Sequence, residues 1–341
     1  MAGSAFASSP MPHAIPKLRY VDDSEPGLTR RWRYKSWHYF QPEGHRVTQE
    51  DEIQRLNSLA VPPAYENVWY CRWPNGHLQA TGRDARGRKQ YRYHPQFREA
   101  QEADKFSRTA AFGDALPAMR KQVDADLRRR TLSRERMLAA TVRLLDIGKL
   151  RVGNDSYAKE NDTRGATTLT EDDAVVRGDS LYLDFVGKGG KARCLRVQDA
   201  ALARLARRCH DLPGQRLFAW RDDDGEAHSV SSCEVNEYIR AAMGTDFTAK
   251  HFRTWHASVI AFQQIIESDG GLTLKAMLTP VAEQLGNTMA ISRKSYVHPA
   301  LIACVKEDGC RDAAGLKLPR RTAYLSANER GLIEFLRREA A

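Results

Sequence analysis

Residues 174–197 read AVVRGDSLYLDFVGKGGKARCLRV, and the architecture follows from them. Ala174 to Arg177, Leu181 to Val186 and Ala192 to Val197 are strand-like. The sequences between them, Gly178-Asp179 and Gly187-Lys188-Gly189-Gly190, are turns of the kind that join antiparallel neighbours. Gly165 to Leu169 reads as a further strand upstream. Around this island the apolar period is helical. Leu116, Met119, Val123 and Leu127 are spaced for one helix, and Leu138, Val142 and Leu145 for another behind a cap at Ser133. Helices resume with Leu202, Leu205 and Cys209, then Val235, Ile239 and Met243 before Gly244, then Phe252, His256, Val259 and Ile266 after a cap at Thr248. Thr279-Pro280 is expected to begin another short helix. A small antiparallel sheet thus sits inside a mainly helical domain.

Ahead of that domain the pattern differs. Between Trp32 and Phe97, short apolar and aromatic stretches such as Val68-Trp69-Tyr70 are broken by Val61-Pro62-Pro63 and Asn75-Gly76, which predicts small strands and turns. The chain has 341 residues, more than the roughly 100 to 200 typical of one domain. The expected class is therefore α+β: a disordered tail over 1–20, a β-rich domain over 21–98 and a mainly helical domain over 99–341. Apolar residues at 42% and charged residues at 28% are the balance of a globular chain, and no apolar run approaches the roughly 20 residues of a bilayer span.

Lysine and arginine number 53 against 43 aspartates and glutamates, a formal charge of +10 that favours a polyanionic partner. The six cysteines, Cys71, Cys194, Cys209, Cys233, Cys304 and Cys310, form no CxxC pair. A zinc site or a secreted disulfide framework is thus disfavoured, and a reducing, cytoplasmic compartment is expected. There is no GxxxxGK[ST] loop for a nucleotide. Asp222-Asp223-Asp224-Gly225 lacks the full calcium-loop pattern and reads as a solvated turn, so neither a metal nor any other cofactor is expected.

The densest basic cluster is Arg83, Arg86, Arg88, Lys89, Arg92 and Arg98, with Asp84 its only acid and Tyr91, Tyr93 and Phe97 interleaved. An edge strand charged against aggregation would look similar. As a nucleic-acid surface, its cations would neutralise phosphates while Gln90, Tyr91 and Tyr93 reach base edges from one face. Four further positions stand out in the second half. Arg151 follows an amphipathic helix and heads Arg-Val-Gly-Asn; Lys188 occupies the glycine-rich turn; Lys250 and Arg253 lie in the first turn of a helix, placed to share a face; Tyr296 sits between Arg293-Lys294-Ser295 and Val297-His298-Pro299.

In this order, Arg151, Lys188, Lys250-x-x-Arg253 and Tyr296 resemble the catalytic set of type IB DNA topoisomerases. Residues 148–154 (GKLRVGN) and 247–258 (FTAKHFRTWHAS) resemble the two arginine blocks of that family, and 82–91 (GRDARGRKQY) the DNA-contacting strand of its compact bacterial and poxvirus branch. The likeness runs from about Trp32 to about Val305. It implies a monomeric clamp around duplex DNA, working at the nucleoid. One strand would be cut through a 3′-phosphotyrosyl link to Tyr296 and resealed without ATP or metal. Arg151 and Arg253 would grip the scissile phosphate, Lys188 would act as general acid to the 5′-oxygen, and Lys250 would assist as a second cation.

One departure concerns Asn287, in Leu285-Gly286-Asn287-Thr288, where eukaryotic and poxvirus members carry histidine. The asparagine resembles the bacterial branch; its amide can donate to a phosphate oxygen but cannot exchange a proton. Read locally, it could simply end a helix after Gly286. Two alternatives share parts of this pattern. A tyrosine recombinase would normally show HxxR in place of Lys250-x-x-Arg253 and would lack the 82–91 strand. A DNA-binding protein without catalysis would have no reason to keep Arg151, Lys188, Arg253 and Tyr296 together.

Overall fold

The computed structural model describes residues 18–209, 216–222, 224–268, 271–308, 310 and 317–339. Most of the expected tail, 1–17, lies outside the described residues. Residues 18–20 belong to the fold, since the Arg19 amide donates to the Asn75 carbonyl at 2.9 Å. Two compact units divide between Lys105 and Phe106.

The first unit begins with the hairpin β1 (Thr29–Arg33) and β2 (Ser36–Phe40), followed by helix α1 (Glu50–Ser58). An antiparallel meander comes next, β3 (Glu66–Tyr70), β4 (Leu78–Arg83) and β5 (Lys89–Tyr93), with β4 in the centre. Leu28 bridges Tyr70, which ties the hairpin to the β3 edge. Leu28, Tyr39, Val47, Leu56, Val61, Val68, Tyr70 and Ala80 form the core. Helix α1 has no counterpart in the sequence reading. Only Ile53 and Leu56 mark its apolar face, and it is supported instead by Glu50, Asp51 and Glu52 in the first turn, where negative charge complements the helix dipole. Helix α2 (Pro95–Ser107) leads out of this unit.

The second unit is helical around a three-stranded sheet. Its elements are α3 (Thr109–Leu127), α4 (Arg134–Gly148), α5 (Asp155–Asn161), β6 (Ala174–Arg177), β7 (Ser180–Gly187), β8 (Lys191–Gln198), α6 (Ala200–Cys209), the small hairpin β9 (Ala219–Arg221) and β10 (Ala227–Ser229), α7 (Ser232–Met243), α8 (Ala249–Glu267), α9 (Leu274–Leu285), α10 (Met289–Ser295), α11 (Pro299–Asp308) and α12 (Ala327–Glu339). The sheet runs β6-β7-β8, antiparallel throughout, as the alternation in 174–197 requires. Helix α8 is the axis: Phe252, Trp255, Ala261, Phe262 and Ile265 are fully buried, and α3, α4, α7, α9, α11 and α12 all pack on it. Ser133 caps α4, its side chain accepting from the Arg136 amide, and Gly244 closes α7 in the left-handed conformation.

Three local expectations change. Residues 165–169 form a turn and no strand: the Thr168 hydroxyl accepts from the Gly165 amide at 2.8 Å, and the backbone folds back on itself instead of extending. Helix α9 starts well before Thr279-Pro280, because Thr273 caps it by accepting from the Ala276 amide. Pro280 lies inside the helix, where the Thr279 hydroxyl donates to the Lys275 carbonyl. Finally, Cys304 and Cys310 are joined in a disulfide, a pairing that their spacing did not suggest. Asp222 shapes the turn between β9 and β10 by accepting from the Asp224 and Glu226 amides; Asp223 lies outside the described residues.

A buried ionic group links four helices. Arg120 of α3 forms ion pairs with Asp146 of α4 and Glu329 of α12, both at 2.8 Å, and Asp146 also meets His256 of α8 at 3.0 Å. Burial would raise both carboxyls, but His256 and Arg120 hold Asp146 far below the ordinary range, and Arg120 lowers Glu329. The C-terminal helix is thereby fastened to the end of α4, five residues before Arg151. No helix among the described residues is long and apolar enough to cross a membrane.

Candidate active site

Helix α4 ends on Lys149, which takes the left-handed conformation (φ 53°) and turns the chain so that Leu150 is buried and Arg151 emerges. The 165–168 turn supports this exit: the Ala166 amide donates to the Arg151 carbonyl at 2.8 Å and the Thr167 amide to that of Val152 at 2.7 Å. Two glycines make the approach possible. A Cβ on Gly165 would lie 2.6 Å from the Gly153 backbone, and Gly153 itself has φ +98°.

Tyr296 sits at the end of α10, a helix capped by the Thr288 hydroxyl. Its backbone is fixed on both sides. The Tyr296 and Val297 amides donate to the Ser292 carbonyl at 3.1 and 2.9 Å, Val297 is fully buried, and the His298 amide donates to the Ser258 hydroxyl of α8 at 3.1 Å. The phenol is therefore presented by a rigid segment.

Arg151 joins two of the sequence-derived residues through one guanidinium. Its Nη1 donates to the Tyr296 Oη at 2.8 Å and its Nη2 to Asn287 Oδ1 at 3.0 Å. Asn287 follows Gly286, the left-handed cap of α9, and its amide donates to the Ala282 carbonyl, so it also ends that helix. Arg253 is buried, 4% exposed. Its Nη1 donates to the Lys149 carbonyl at 2.7 Å, its Nη2 to that of Leu285 at 3.0 Å, and its guanidinium carbon lies 5.0 Å from the Tyr296 ring centroid. Among the described residues the buried Nε of Arg253 and Nδ2 of Asn287 donate no hydrogen bond.

The geometry places Lys188 and Lys250 differently. Lys188 is exposed in the β7–β8 turn, next to Gly189 and Gly190 in left-handed conformations. It lines the same cleft as Arg151 and Arg253 but is not in the hydrogen-bonded cluster. Lys250 is exposed whereas Arg253 is buried, so the shared face expected from their spacing does not give a shared environment. A rise of three positions carries Arg253 round to the core while Lys250 stays at the rim of the helix.

One participant was missed. Arg193 of β8 donates to the Glu283 carbonyl at 3.2 Å and to the Gln284 carbonyl at 2.9 Å, capping the end of α9 that carries Asn287. The signal existed: in β8, Arg193 shares its alternation with Leu195 and Val197, the inward row, where a cation is unusual. The cleft is lined by Lys149, Arg151, Arg164, Lys188, Lys191, Arg193 and Arg253, seven cations with no carboxylate among its lining. Arg164 is paired with Asp162 and Asp173.

This crowding shows in the ionisation of the groups. Burial alone would raise the Tyr296 phenol, but Arg253 and Arg151 outweigh it and the net shift is downward. Burial and Arg151 pull Arg253 down to about 10, still cationic at neutral pH, and the same two causes lower Arg193. A site of this kind is short of an anion. Charge-assisted donors converging on an ionisable phenol suit a phosphate diester more than a neutral substrate. Among the described residues, no group of three or more His, Cys, Asp or Glu side chains is arranged to hold a metal.

In the first unit, Asp84 organises the basic strand. It accepts from the Arg86 and Arg88 amides, pairs with the Arg88 guanidinium at 2.7 Å and receives the Gln90 amide at 3.1 Å. The Arg88 hydrogen bond is the main reason its carboxyl falls to about 2. Arg83 donates to the Gly87 carbonyl, and Lys89 pairs with Asp23. Tyr91 and Tyr93 are exposed and stacked, with centroids 6.0 Å apart. Gln90 lies on the opposite side of the strand from these tyrosines, as adjacent positions must, so the three do not share the single face expected of them.

Two family patterns match this chain. Residues 94–300 match the catalytic core described as "Eukaryotic DNA topoisomerase I, catalytic core", and residues 36–84 match "Bacterial DNA topoisomerase IB, N-terminal domain". The chain belongs to the type IB DNA topoisomerase family. A DNA topoisomerase 1B of Acanthamoeba polyphaga mimivirus is 31% identical over 274 residues, 76% of this chain and 81% of the relative. DNA topoisomerase 1 of Mycosarcoma maydis is 24% identical over 189 residues, 50% of this chain and 18% of that longer protein. Among solved structures, a XerH site-specific recombinase bound to a palindromic difH substrate gives a TM-score of 0.39 at 14% identity, over 57% of this chain and 50% of the other. As a type IB topoisomerase the chain is an enzyme that changes DNA topology, and DNA is its partner.

Proposed function

We propose that this topoisomerase relaxes supercoiled duplex DNA by cutting one strand and rejoining it through a 3′-phosphotyrosyl link to Tyr296, without ATP or metal. The observation that carries the reading is the Arg151 guanidinium, which holds the Tyr296 oxygen and Asn287 at once. A phenol with an ordinary pKa of about 10 is a poor nucleophile at neutral pH. Two guanidinium groups favour its ionised form, and its proton leaves to water. The oxygen then attacks phosphorus, the 5′-oxygen departs, and the negative charge growing on the non-bridging oxygens meets Arg151, Arg253 and the free amide of Asn287.

Lys188 supplies the proton taken up by the departing 5′-oxygen, reaching in from its flexible turn. Lys250 contributes a more distant positive charge. Resealing is the reverse: the 5′-hydroxyl returns its proton and attacks the phosphotyrosine, which conserves the bond. Arg83, Arg86, Arg88 and Lys89 engage phosphates, Tyr91 and Tyr93 lie against the duplex groove, and Gln90 holds the strand's turn through Asp84. A single chain carries every group.

The test is relaxation of negatively and positively supercoiled plasmid in EDTA without ATP, with Tyr296→Phe alongside. Wild type should relax both, and Tyr296→Phe should bind DNA but neither relax it nor form a covalent adduct. Relaxation by the phenylalanine variant would sink the assignment of the nucleophile.

A further inference from the structure

The β1–β2 hairpin is unlike the rest of the first unit. Residues 29–40 (TRRWRYKSWHYF) contain Arg30, Arg31, Arg33 and Lys35 and no acid. Arg30 is used internally, donating to the Val61 and Pro62 carbonyls and lying over the Trp37 ring. The other three are exposed. The ion pairs of this unit join Arg55 to Glu52, Arg88 to Asp84 and Lys89 to Asp23. Among the described residues none of Arg31, Arg33 and Lys35 has a carboxylate partner. The hairpin is thus less neutralised than the basic strand β5.

Its tip is also aromatic. Trp32 is 58% exposed and Tyr34 91% exposed. Among the described residues the other exposed aromatic side chains are Tyr91 and Tyr93, on the strand already given to DNA. Charges alone could protect an edge strand from aggregation, but exposed Trp and Tyr work against that purpose. The backbone adds a third observation. Tyr34 and Lys35 both have positive φ, 50° and 62°, and Arg33 pairs with Ser36, which makes a two-residue turn of the type that Asn-Gly adopts without strain. Tyr and Lys are held there at a conformational cost.

We propose that this hairpin is a second DNA-binding element, whose Arg31, Arg33 and Lys35 grip phosphates of the duplex held by β5 while Tyr34 at the turn packs against its sugars and base edges. The inference rests on the reading that β5 holds duplex DNA. Sheet order places the two elements apart: β5, β4 and β3 are consecutive neighbours, and Leu28 bridges the chain leading into β1 to β3. Three strand intervals of about 4.8 Å separate β5 from the Leu28 bridge at the base of the hairpin, roughly 15 Å, a distance comparable to about four base pairs of duplex at ~3.4 Å each. The proposal accordingly places the hairpin on duplex beyond the part held by β5.

Binding is measured with the full chain carrying Tyr296→Phe, on fluorescein-labelled duplexes of two lengths, across a salt titration. On the longer duplex, Arg31→Gln, Arg33→Gln and Lys35→Gln together should flatten the slope of log affinity against log salt by about 2 to 3, at about 0.9 per phosphate contact. On a duplex too short to extend past β5, the slope should not change. A second variant separates binding from folding. Tyr34→Asn with Lys35→Gly removes the turn's strain, so the melting temperature should rise by about 2–4 °C while affinity for the longer duplex falls. Unchanged slopes and affinity in both variants would overturn the hairpin's role alone. An equal loss on both lengths would overturn its placement on flanking DNA, and failure of the parent chain to bind duplex at all would overturn the β5 reading as well.

Discussion

Consider Arg151→Ala, followed by the pH dependence of cleavage. Tyr296 lies below its ordinary ionisation because Arg253 and Arg151 together outweigh the effect of burial. Removing Arg151 leaves the burial and takes away both a charge and the 2.8 Å hydrogen bond to Oη. A hydrogen bond to a charged group is worth about 1.5–3 kcal/mol, so the phenol of the variant should ionise at higher pH than that of the wild type. The sign is that of an acid losing a nearby cation: the ionised form becomes scarcer at neutral pH. A further loss of about 10² to 10³ follows from the missing donor to the phosphate. Single-turnover cleavage of a duplex whose cut fragment dissociates, followed from pH 6 to 10, separates the two effects. The ionisation part should be recovered as pH rises; the phosphate part should not. Profiles of wild type and variant that superimpose after scaling would refute the claim that Arg151 sets the ionisation of Tyr296.

Other substitutions probe the surroundings. Arg193→Ala should slow cleavage by at least about tenfold, well beyond its effect on melting temperature, because it frees the end of α9 that carries Asn287; an unchanged single-turnover rate would remove Arg193 from the site. Lys188→Ala should cleave slowly and be rescued by a substrate whose bridging 5′-oxygen is replaced by sulfur, a leaving group that needs no proton, and failure of that rescue would count against the acid role. Glu329→Ala should cost about 3–5 kcal/mol in urea denaturation, since it strips a buried arginine of one of its two carboxylates. Asp146 and Glu329 both ionise below their ordinary values. Their contribution should therefore be complete above about pH 5 and decline as pH falls from there through their lowered values, a decline that Glu329→Ala should blunt.

The parts of the fold that were legible are those written in local periodicity. Strands β6, β7 and β8 could be read because each alternates and each junction carries glycine. Helices α3, α4 and α8 could be read because their apolar positions recur over several turns. Helix α1 has only two such positions. The start of α9 was obscured because Pro280 looks like a first-turn residue, although Thr273 had already capped the helix a turn and a half earlier. The misread segment 165–169 has strand-forming residues, but its hydrogen bonds go to the exit of α4, and nothing within the segment records that. The same distinction runs through the site. Arg151, Arg253 and Tyr296 were found by their order along the chain, whereas Arg193 and the carbonyls that hold Arg253 were not. Those contacts join side chain to main chain across 90, 104 and 32 positions, and a carbonyl has no residue identity to read.

Those carbonyls also explain how so many cations can converge on one site. The Lys149 carbonyl lies at the end of α4, and the Glu283, Gln284 and Leu285 carbonyls at the end of α9. The last carbonyls of a helix lack intrahelical partners and carry the negative end of its dipole. Arg253 and Arg193 thus rest on two helix C-termini in place of a counter-anion. This arrangement offsets only part of the repulsion, as the lowered ionisation of both arginines indicates. Each terminal guanidinium nitrogen that donates to a carbonyl still has a second hydrogen, and among the described residues the Arg253 Nε and Asn287 Nδ2 donate no hydrogen bond. In the proposed reaction a phosphate would be received without dismantling the contacts that position the arginines. The donors are then already oriented when charge develops on the phosphate, which is the condition under which electrostatic stabilisation lowers a barrier most.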